Sequence, residues 1–233
     1  MTTEAVSLPV VSACEVASRQ VLLTLDATGT SLRAHHTTPG QYARLTLDDG
    51  VARPMAIASP PSATHDVFEF LLKVLPERTA SLAALGPEDR IRMAPPQGKG
   101  FPLDAARGKS LWLFATGSGV APLRAFIEHL LPRRSEVKDV TLLYGVREAS
   151  ELAFASRFGA WAGHDISVVP VVSKPKPGTW RGRTGYIQEH IPRSFANPEG
   201  TVAFLCGLPA MDRDVCAALK ERGVGSEHVH RNW

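Results

Sequence analysis

Leu111-Trp112-Leu113-Phe114-Ala115 runs without a break into Thr116-Gly117-Ser118-Gly119-Val120-Ala121-Pro122. The first five residues are apolar throughout, as a strand covered on both faces requires. Glycine at positions 117 and 119 lets the backbone turn tightly and approach another group with no Cβ in the way. Pro122 suits the first turn of a helix, where its missing N–H leaves no bond unmade. Strand, turn and helix start therefore follow one another in a single short stretch. The turn itself supports two readings. It is either a plain strand-to-helix connection or a seat where a helix N-terminus and the backbone of Gly117, Ser118 and Gly119 receive a pyrophosphate. Pro122 stands where the dinucleotide fingerprint Gly-x-Gly-x-x-Gly has its third glycine, so the pattern departs from that fingerprint.

Toward the C-terminus the same grammar repeats. Apolar runs stand at residues 140–144, 166–172 and 202–206, and helical stretches at 122–131, 149–161 and 209–222, with a shorter one near 186–191. Buried parallel strands joined by helical crossovers make a doubly wound α/β sheet. Toward the N-terminus the grammar changes. Residues 9–18, 20–27, 41–47, 53–59, 67–75 and 90–94 read as short strands, punctuated by Thr28-Gly29, Pro39-Gly40, Asp48-Asp49-Gly50 and Pro60-Pro61. Such spacing predicts a small antiparallel β-barrel or sandwich. A short helix over residues 79–85 is stopped by Gly86-Pro87. Two domains are expected, a β-barrel over residues 1–106 and a doubly wound parallel sheet over residues 107–233, with the boundary inside residues 101–108.

The 233 residues are 44% hydrophobic and 21% charged, the balance of an ordinary folded protein. A net charge of +3 suits an acidic partner or a phosphorylated ligand. No basic run is dense enough for nucleic-acid binding, and Arg133-Arg134 and residues 174–183 read first as solvated loops. Met1-Thr2-Thr3-Glu4-Ala5 has neither the basic nor the apolar region of a signal peptide, and no apolar stretch reaches spanning length. The expectation is a cytoplasmic protein without membrane insertion. Cys14, Cys206 and Cys216 form an odd set that fits a reducing compartment. They are too few to ligate an iron–sulfur cluster by themselves, so any cluster belongs to a partner. His228 and His230 alternate along one strand face with no further ligand at metal spacing, and no metal site is expected.

In this context the glycine turn resembles that of the ferredoxin–NADP reductase superfamily, commonly Gly-Thr-Gly-Ile-Ala-Pro. Other pieces follow in the family's order. Pro39-Gly40-Gln41-Tyr42 resembles the stretch before the flavin strand, and Arg53-Pro54-Met55-Ala56 lies where the family has Arg-x-Tyr-Ser. Ser81 matches the hydroxyl residue over the flavin pyrophosphate, and Gly98-Lys99-Gly100-Phe101 the segment closing the barrel. Tyr144-Gly145-Val146-Arg147 resembles Tyr-Gly-x-Arg, and Cys206-Gly207-Leu208-Pro209-Ala210-Met211 resembles Cys-Gly-Pro-Pro-x-Met. Trp233 ends the chain as a terminal aromatic does in some members.

The resemblance implies that the barrel holds FAD, through Tyr42, Arg53, Pro54, Met55, Ala56 and Ser81. It implies that the α/β domain holds NAD(P)H, through Gly117, Ser118, Gly119, Pro122 and Gly207. Arg147, Ser173, Lys174 and Tyr186 fall where NADP-preferring members bind the 2′-phosphate, a slight lean toward NADP. Hydride would pass between nicotinamide and flavin, and electrons onward to a separate acceptor, a ferredoxin-like protein or a small molecule. Cys206 then abuts the nicotinamide; read alone, it is a buried small apolar residue. Trp233 either covers the flavin face or is a surface aromatic. Arg53 either pairs with a flavin phosphate or is a surface strand arginine. Met55 and Ala56 replace the family's tyrosine and serine: methionine still covers a flat ring, whereas alanine has no hydroxyl to donate. Two alternatives stay open: a nucleotide-binding or regulatory module with a degenerate flavin site, and an electron-transfer subunit of a larger complex.

Overall fold

Short strands with alternating burial build the first half of the computed structural model, which describes residues 4–62 and 66–232. They are β1 (Val6–Ala17), β2 (Gln20–Asp26), β3 (Tyr42–Thr46), β4 (Ala52–Ala56), β5 (Val67–Lys73) and β6 (Arg90–Met93). In β6 the alternation is plain: Arg90 and Arg92 face solvent while Ile91 and Met93 are buried. The strands pair antiparallel in the order β4-β3-β6-β1-β2-β5. Leu8, Leu23, Leu45, Phe68 and Phe70 fill the interior. Between β4 and β5 the sheet is joined only past the end of β4. There Ile57 bridges Phe70, and the Ala58 N–H donates to the Glu69 carbonyl at 2.7 Å. The result is a barrel-like sheet that does not close fully. Two four-residue helices plug it, α1 (Leu32–His35) and α2 (Ala80–Ala83), which bury Leu32 and Leu82. Helix α1 carries no signal in the sequence pattern, and α2 is shorter than the stretch over residues 79–85.

The second half is parallel. Strands β7 (Ser110–Thr116), β8 (Val140–Val146), β9 (Ile166–Val172), β10 (Arg183–Thr184), β11 (Thr201–Cys206) and β12 (Val229–Arg231) lie in the order β10-β9-β8-β7-β11-β12. Helices α3 (Leu103–Ala106), α4 (Val120–Leu130), α5 (Phe158–Ala162) and α6 (Pro209–Glu221) accompany them. Alternation along β7 sends Leu111 and Leu113 to the core under α4 and Phe114 to the core under α6. Strand order reverses at β7, between β8 and β11, so ligands are expected beyond the carboxyl ends of β7 and β11.

The helix read over residues 149–161 is not continuous. It breaks into two 3-10 turns, Ala149–Glu151 and Ala155–Arg157, before α5. The break has a packing cause: Phe154 adopts a left-handed φ of 59° and is buried, with the Arg124 guanidinium 4.6 Å from its ring centre. The segment near residues 186–191 is likewise a 3-10 turn, Ile187–His190, and the strand face expected to carry both His228 and His230 divides into a 3-10 turn, Ser226–His228, and β12.

Several contacts lock the halves together. Phe101 stacks on Phe204 of β11, ring centres 5.0 Å apart, so the segment that ends the barrel inserts into the α/β core. Ser18 N–H donates to the Ser150 carbonyl at 2.7 Å, and the Gln20 amide donates to the Glu151 carbonyl. Arg124 of α4 pairs with Glu69 of β5 at 2.8 Å and with Glu128 at 3.0 Å. Asn232 donates to the Gly40 carbonyl at 3.0 Å, which fixes the residue before Trp233 against the barrel.

Candidate functional site

At the end of β7 the chain enters a 3-10 turn, Gly117–Gly119, which leads directly into α4. The two glycines serve different ends. Gly117 has φ of 53°, and a Cβ there would meet nothing within 4 Å, so its side faces open space. Gly119 is packed shut, because a Cβ there would run into the Cys206 carbonyl and lie 2.9 Å from Gly207 Cα. The Thr116 hydroxyl accepts a bond from the Leu208 N–H at 2.9 Å, tying the turns after β7 and β11 together. Pro122 is buried in the first turn of α4, two residues past its start.

A cleft of about 780 Å³ opens above these turns, a size typical of cofactor sites. Its barrel wall consists of Pro54, Met55, Ala56, Leu71 and Lys73. Gly117, Ser118, Gly119 and Pro122 form its floor, with Cys206 and Gly207 beside them. Arg147, Ser173 and Tyr186 lie at its far end, so the structure brings together most of the residues singled out in the sequence. Burial pushes the Cys206 thiol up to about 12, so it stays protonated at neutral pH and presents neutral sulfur rather than a nucleophile. Met55 also packs against the barrel core, and Ala56 offers no hydroxyl. At the far end the Ser173 hydroxyl donates to the Val146 carbonyl at 3.3 Å, and the Lys174 N–H to the Arg147 carbonyl at 2.8 Å.

Other expected residues lie outside this lining. The Tyr42 hydroxyl is 3.4 Å from Gln97 Oε1, and the Tyr42 ring lies against Gly98. Ser81 is exposed on α2, and Lys174 is exposed beside the far end. Arg53 is engaged within the barrel. Its Nε donates to the Arg78 carbonyl at 2.9 Å, its Nη1 to the Val51 carbonyl at 2.8 Å and Asp49 Oδ1 at 3.1 Å, and its Nη2 to Asp49 Oδ2. That pairing lowers the Asp49 carboxyl below its usual range and raises the arginine. Trp233 lies outside the described residues.

Lys73, Thr116, Leu208 and Asp214 line the cleft without having been singled out. Thr116 directly precedes the glycine turn and was within reach of the motif. Lys73 ends a strand like many others, and only the fold carries it to the cleft.

The geometry fits a dinucleotide and a flat ring. Gly117 opens onto the cleft floor at the switch point, and apolar Met55, Leu71 and neutral Cys206 offer faces for stacked rings. The fit is less complete for flavin phosphates, because Arg53 already holds Asp49.

Comparison with known proteins agrees with the architecture. Residues 113–217 match the model of the oxidoreductase NAD-binding domain family. The chain is 30% identical over 207 residues to fruit protein pKIWI502 of Actinidia deliciosa, covering 82% of this chain and 65% of that protein. It is 28% identical over 195 residues to the sulfhydrogenase 1 subunit gamma of Pyrococcus furiosus, covering 82% and 66%. Against the anthranilate 1,2-dioxygenase electron transfer component of Acinetobacter baylyi it is 26% identical over 200 residues, covering 82% and 56%. The chain thus spans less than two thirds of the length of these curated relatives. Among solved structures, the Amycolatopsis cytochrome P450 reductase GcoB superposes with a TM-score of 0.82 at 26% identity, covering 99% of this chain and 70% of that one. A ferredoxin NADP+ reductase from Neisseria gonorrhoeae with bound FAD and NADP has the same fold, with a TM-score of 0.80 at 21% identity, covering 99% and 100%.

Proposed function

Since the chain belongs to the ferredoxin–NADP reductase superfamily, we propose that it is an FAD-dependent oxidoreductase that transfers hydride between NAD(P)H and flavin. Electrons then pass to a separate acceptor, a ferredoxin-like protein or a small molecule. The observation that carries this reading is a cleft with the β4 wall on one side and the glycine turn and Cys206-Gly207 on the other. On this reading residues 1–106 form the flavin domain and residues 107–233 the nicotinamide domain.

When bound, the two cofactors supply the hydride chemistry, and the protein supplies orientation and electrostatics. The turn at Gly117–Gly119 and the N-terminus of α4 hold the pyrophosphate, since a helix start offers N–H donors and partial positive charge. Gly119, pressed on the Cys206 carbonyl, fixes that turn against β11. The Cys206 thiol stays neutral and gives the nicotinamide an apolar surface to lie on. Met55, Ala56 and Leu71 give the flavin ring its wall, and Lys73 sets a positive charge beside it. Arg147 and Lys174 place positive charge at the far end, which favours a ribose phosphate and hence NADP.

A direct test is to load the purified protein with FAD without oxygen, add NADPH or NADH, and follow the flavin absorbance. Bleaching on addition is expected, faster with NADPH. A protein that takes up no flavin, or a loaded protein that neither nucleotide bleaches, defeats the proposal. Likeness to a sulfhydrogenase gamma subunit supports a second reading, an electron-transfer subunit of a larger complex; co-purification with partner subunits from the source cells distinguishes the two. The unpaired cysteines support a reducing, cytoplasmic setting. Among the described residues no helix is long and apolar enough to cross a membrane.

A further inference from the structure

We propose that Asp49 sets the flavin affinity of this protein by competing with the cofactor's phosphates for Arg53. The inference rests on the reading that the barrel holds FAD, and it concerns a residue to which that reading gives no role.

Arg53 and Met55 are two apart on β4, so they share a face of the strand. Met55 lines the cleft. A flavin lying along β4 from Met55 therefore runs its ribityl chain and phosphates toward Arg53. The four bonds made by Arg53 use all but one of a guanidinium's N–H donors. Both carboxylate oxygens of Asp49 sit in the fork that suits a phosphate in the same way.

Asp49 is itself held in place. Its Oδ1 accepts the Val51 N–H at 2.9 Å, closing the turn that begins at Asp48-Asp49-Gly50. The carboxylate is therefore built into the turn rather than swinging free. An arriving phosphate meets a neutral ion pair in place of a free cation. It either displaces Asp49 from the fork or binds the last N–H with a carboxylate as neighbour, and like charge opposes both outcomes. The ring, which carries no charge at this end, is unaffected.

The measurement is a fluorescence titration of the apoprotein with FAD and with riboflavin, which has the same ring and no phosphate. Asp49→Asn keeps the size and the acceptor for Val51 while removing the charge. The expected result is FAD binding tightened by about tenfold in Asp49→Asn, from loss of one nearby like charge, with riboflavin binding unchanged. Arg53→Ala should bind FAD most weakly. Arg53→Ala/Asp49→Asn should return close to the wild type, because the original pair is already neutral. Thermal melting of each variant confirms that it is folded.

If Asp49→Asn weakens FAD toward the Arg53→Ala level, Asp49 positions the arginine and the proposal is overturned. Equal FAD affinity in Asp49→Asn and wild type overturns it as well. Should the wild type bind neither FAD nor riboflavin, the flavin reading itself falls and takes this inference with it.

Discussion

The two walls of the cleft are prepared to different degrees. On the α/β side the floor is set before any ligand arrives: Gly119 is pressed on the Cys206 carbonyl, Thr116 is bonded to Leu208, and Gly117 faces open space. On the barrel side the wall of Met55, Ala56 and Leu71 is in place, but Arg53, the proposed phosphate ligand, is closed on Asp49. On the proposed function, a dinucleotide would meet a preorganised backbone seat, and the flavin's charged end an occupied fork. If the proposed sites hold, one fold carries a fixed affinity on one side and an adjustable one on the other. Backbone geometry is hard to alter by substitution, whereas a side-chain pair changes with one residue.

The largest effect is expected where the two walls are tied together. Arg124 is buried, its side chain only 5% exposed, and it joins Glu69 on the barrel to Glu128 on the helix behind the glycine turn. Arg124→Ala leaves two half-buried carboxylates, Glu69 and Glu128, without their shared cation. The expected loss is about 3–5 kcal/mol of stability, measured by urea unfolding. A loss under about 1 kcal/mol would mean that the walls are held by packing alone. Gly119→Val comes next. Because its side chain meets the Cys206 backbone rather than open cleft, it should cost about 3 kcal/mol, and nucleotide and flavin binding should fall together. A folded Gly119→Val that loses only nucleotide affinity would show that the turn yields where the structure has it locked.

How far this asymmetry was legible in the sequence differs from residue to residue. Apolar runs gave the parallel strands closely, since burial on both faces leaves little choice of residue, and Ile166–Val172 was read to the residue. The run over residues 149–161 looked helical because nothing in it breaks a helix locally. What breaks it is Phe154 turning left-handed to lie under Arg124, a partner on another element. The glycine turn was legible as a motif, but the split of work between Gly117 and Gly119 depends on where β11 ends. The resemblance marked Arg53 as a candidate phosphate ligand; its engagement by Asp49 was hidden in a turn that reads simply as punctuation.

Acid should test the barrel side more than the α/β side. His36 is buried beside the Phe68 ring, 5.6 Å between centres, and its Nε2 has no hydrogen-bond partner among the described residues. Burial, and then His129 of α4, lowers its pKa to about 4, and His129 itself is lowered by burial and by Arg133. A folded-state value below the ordinary 6.5 means that stability is complete above pH 6.5 and is lost as pH falls toward 4. The expected fall between pH 7 and pH 4.5 is on the order of 2 kcal/mol. His36→Leu, which needs no partner, should flatten much of that slope in urea titrations. An identical slope in the variant would assign the acid sensitivity to other groups. A smaller effect is expected at Gly117, where Ala must adopt φ of 53°. Gly117→Ala should cost about 1–2 kcal/mol, weaken NADPH binding in calorimetry and leave FAD binding intact. Loss of FAD along with NADPH would contradict the separation of the two walls.

The smallest effect is expected at the wall proposed for the flavin ring. Ala56 lines the cleft where the family resemblance puts a serine, whose hydroxyl would face flavin N5 in the proposed site, and here no hydroxyl stands at that position. In oxidised flavin N5 is an acceptor, and after hydride arrival it carries its own hydrogen. A hydroxyl supplied by Ala56→Ser, with its proton held toward N5, favours the oxidised form and lowers the two-electron potential, because on reduction it must turn to accept the new N5–H. A side-chain hydrogen bond contributes about 1 kcal/mol, which for a two-electron couple corresponds to roughly 20 mV. Spectroelectrochemical titration of the FAD-loaded variant resolves a shift of that size. Because the bond lies at the ring, FAD and riboflavin should tighten in Ala56→Ser by the same factor, about fivefold for that energy. Asp49→Asn, by contrast, should separate the two ligands. An upward shift, or one confined to FAD, would mean that the added hydroxyl points away from the ring and that the barrel wall is set differently from the one described here.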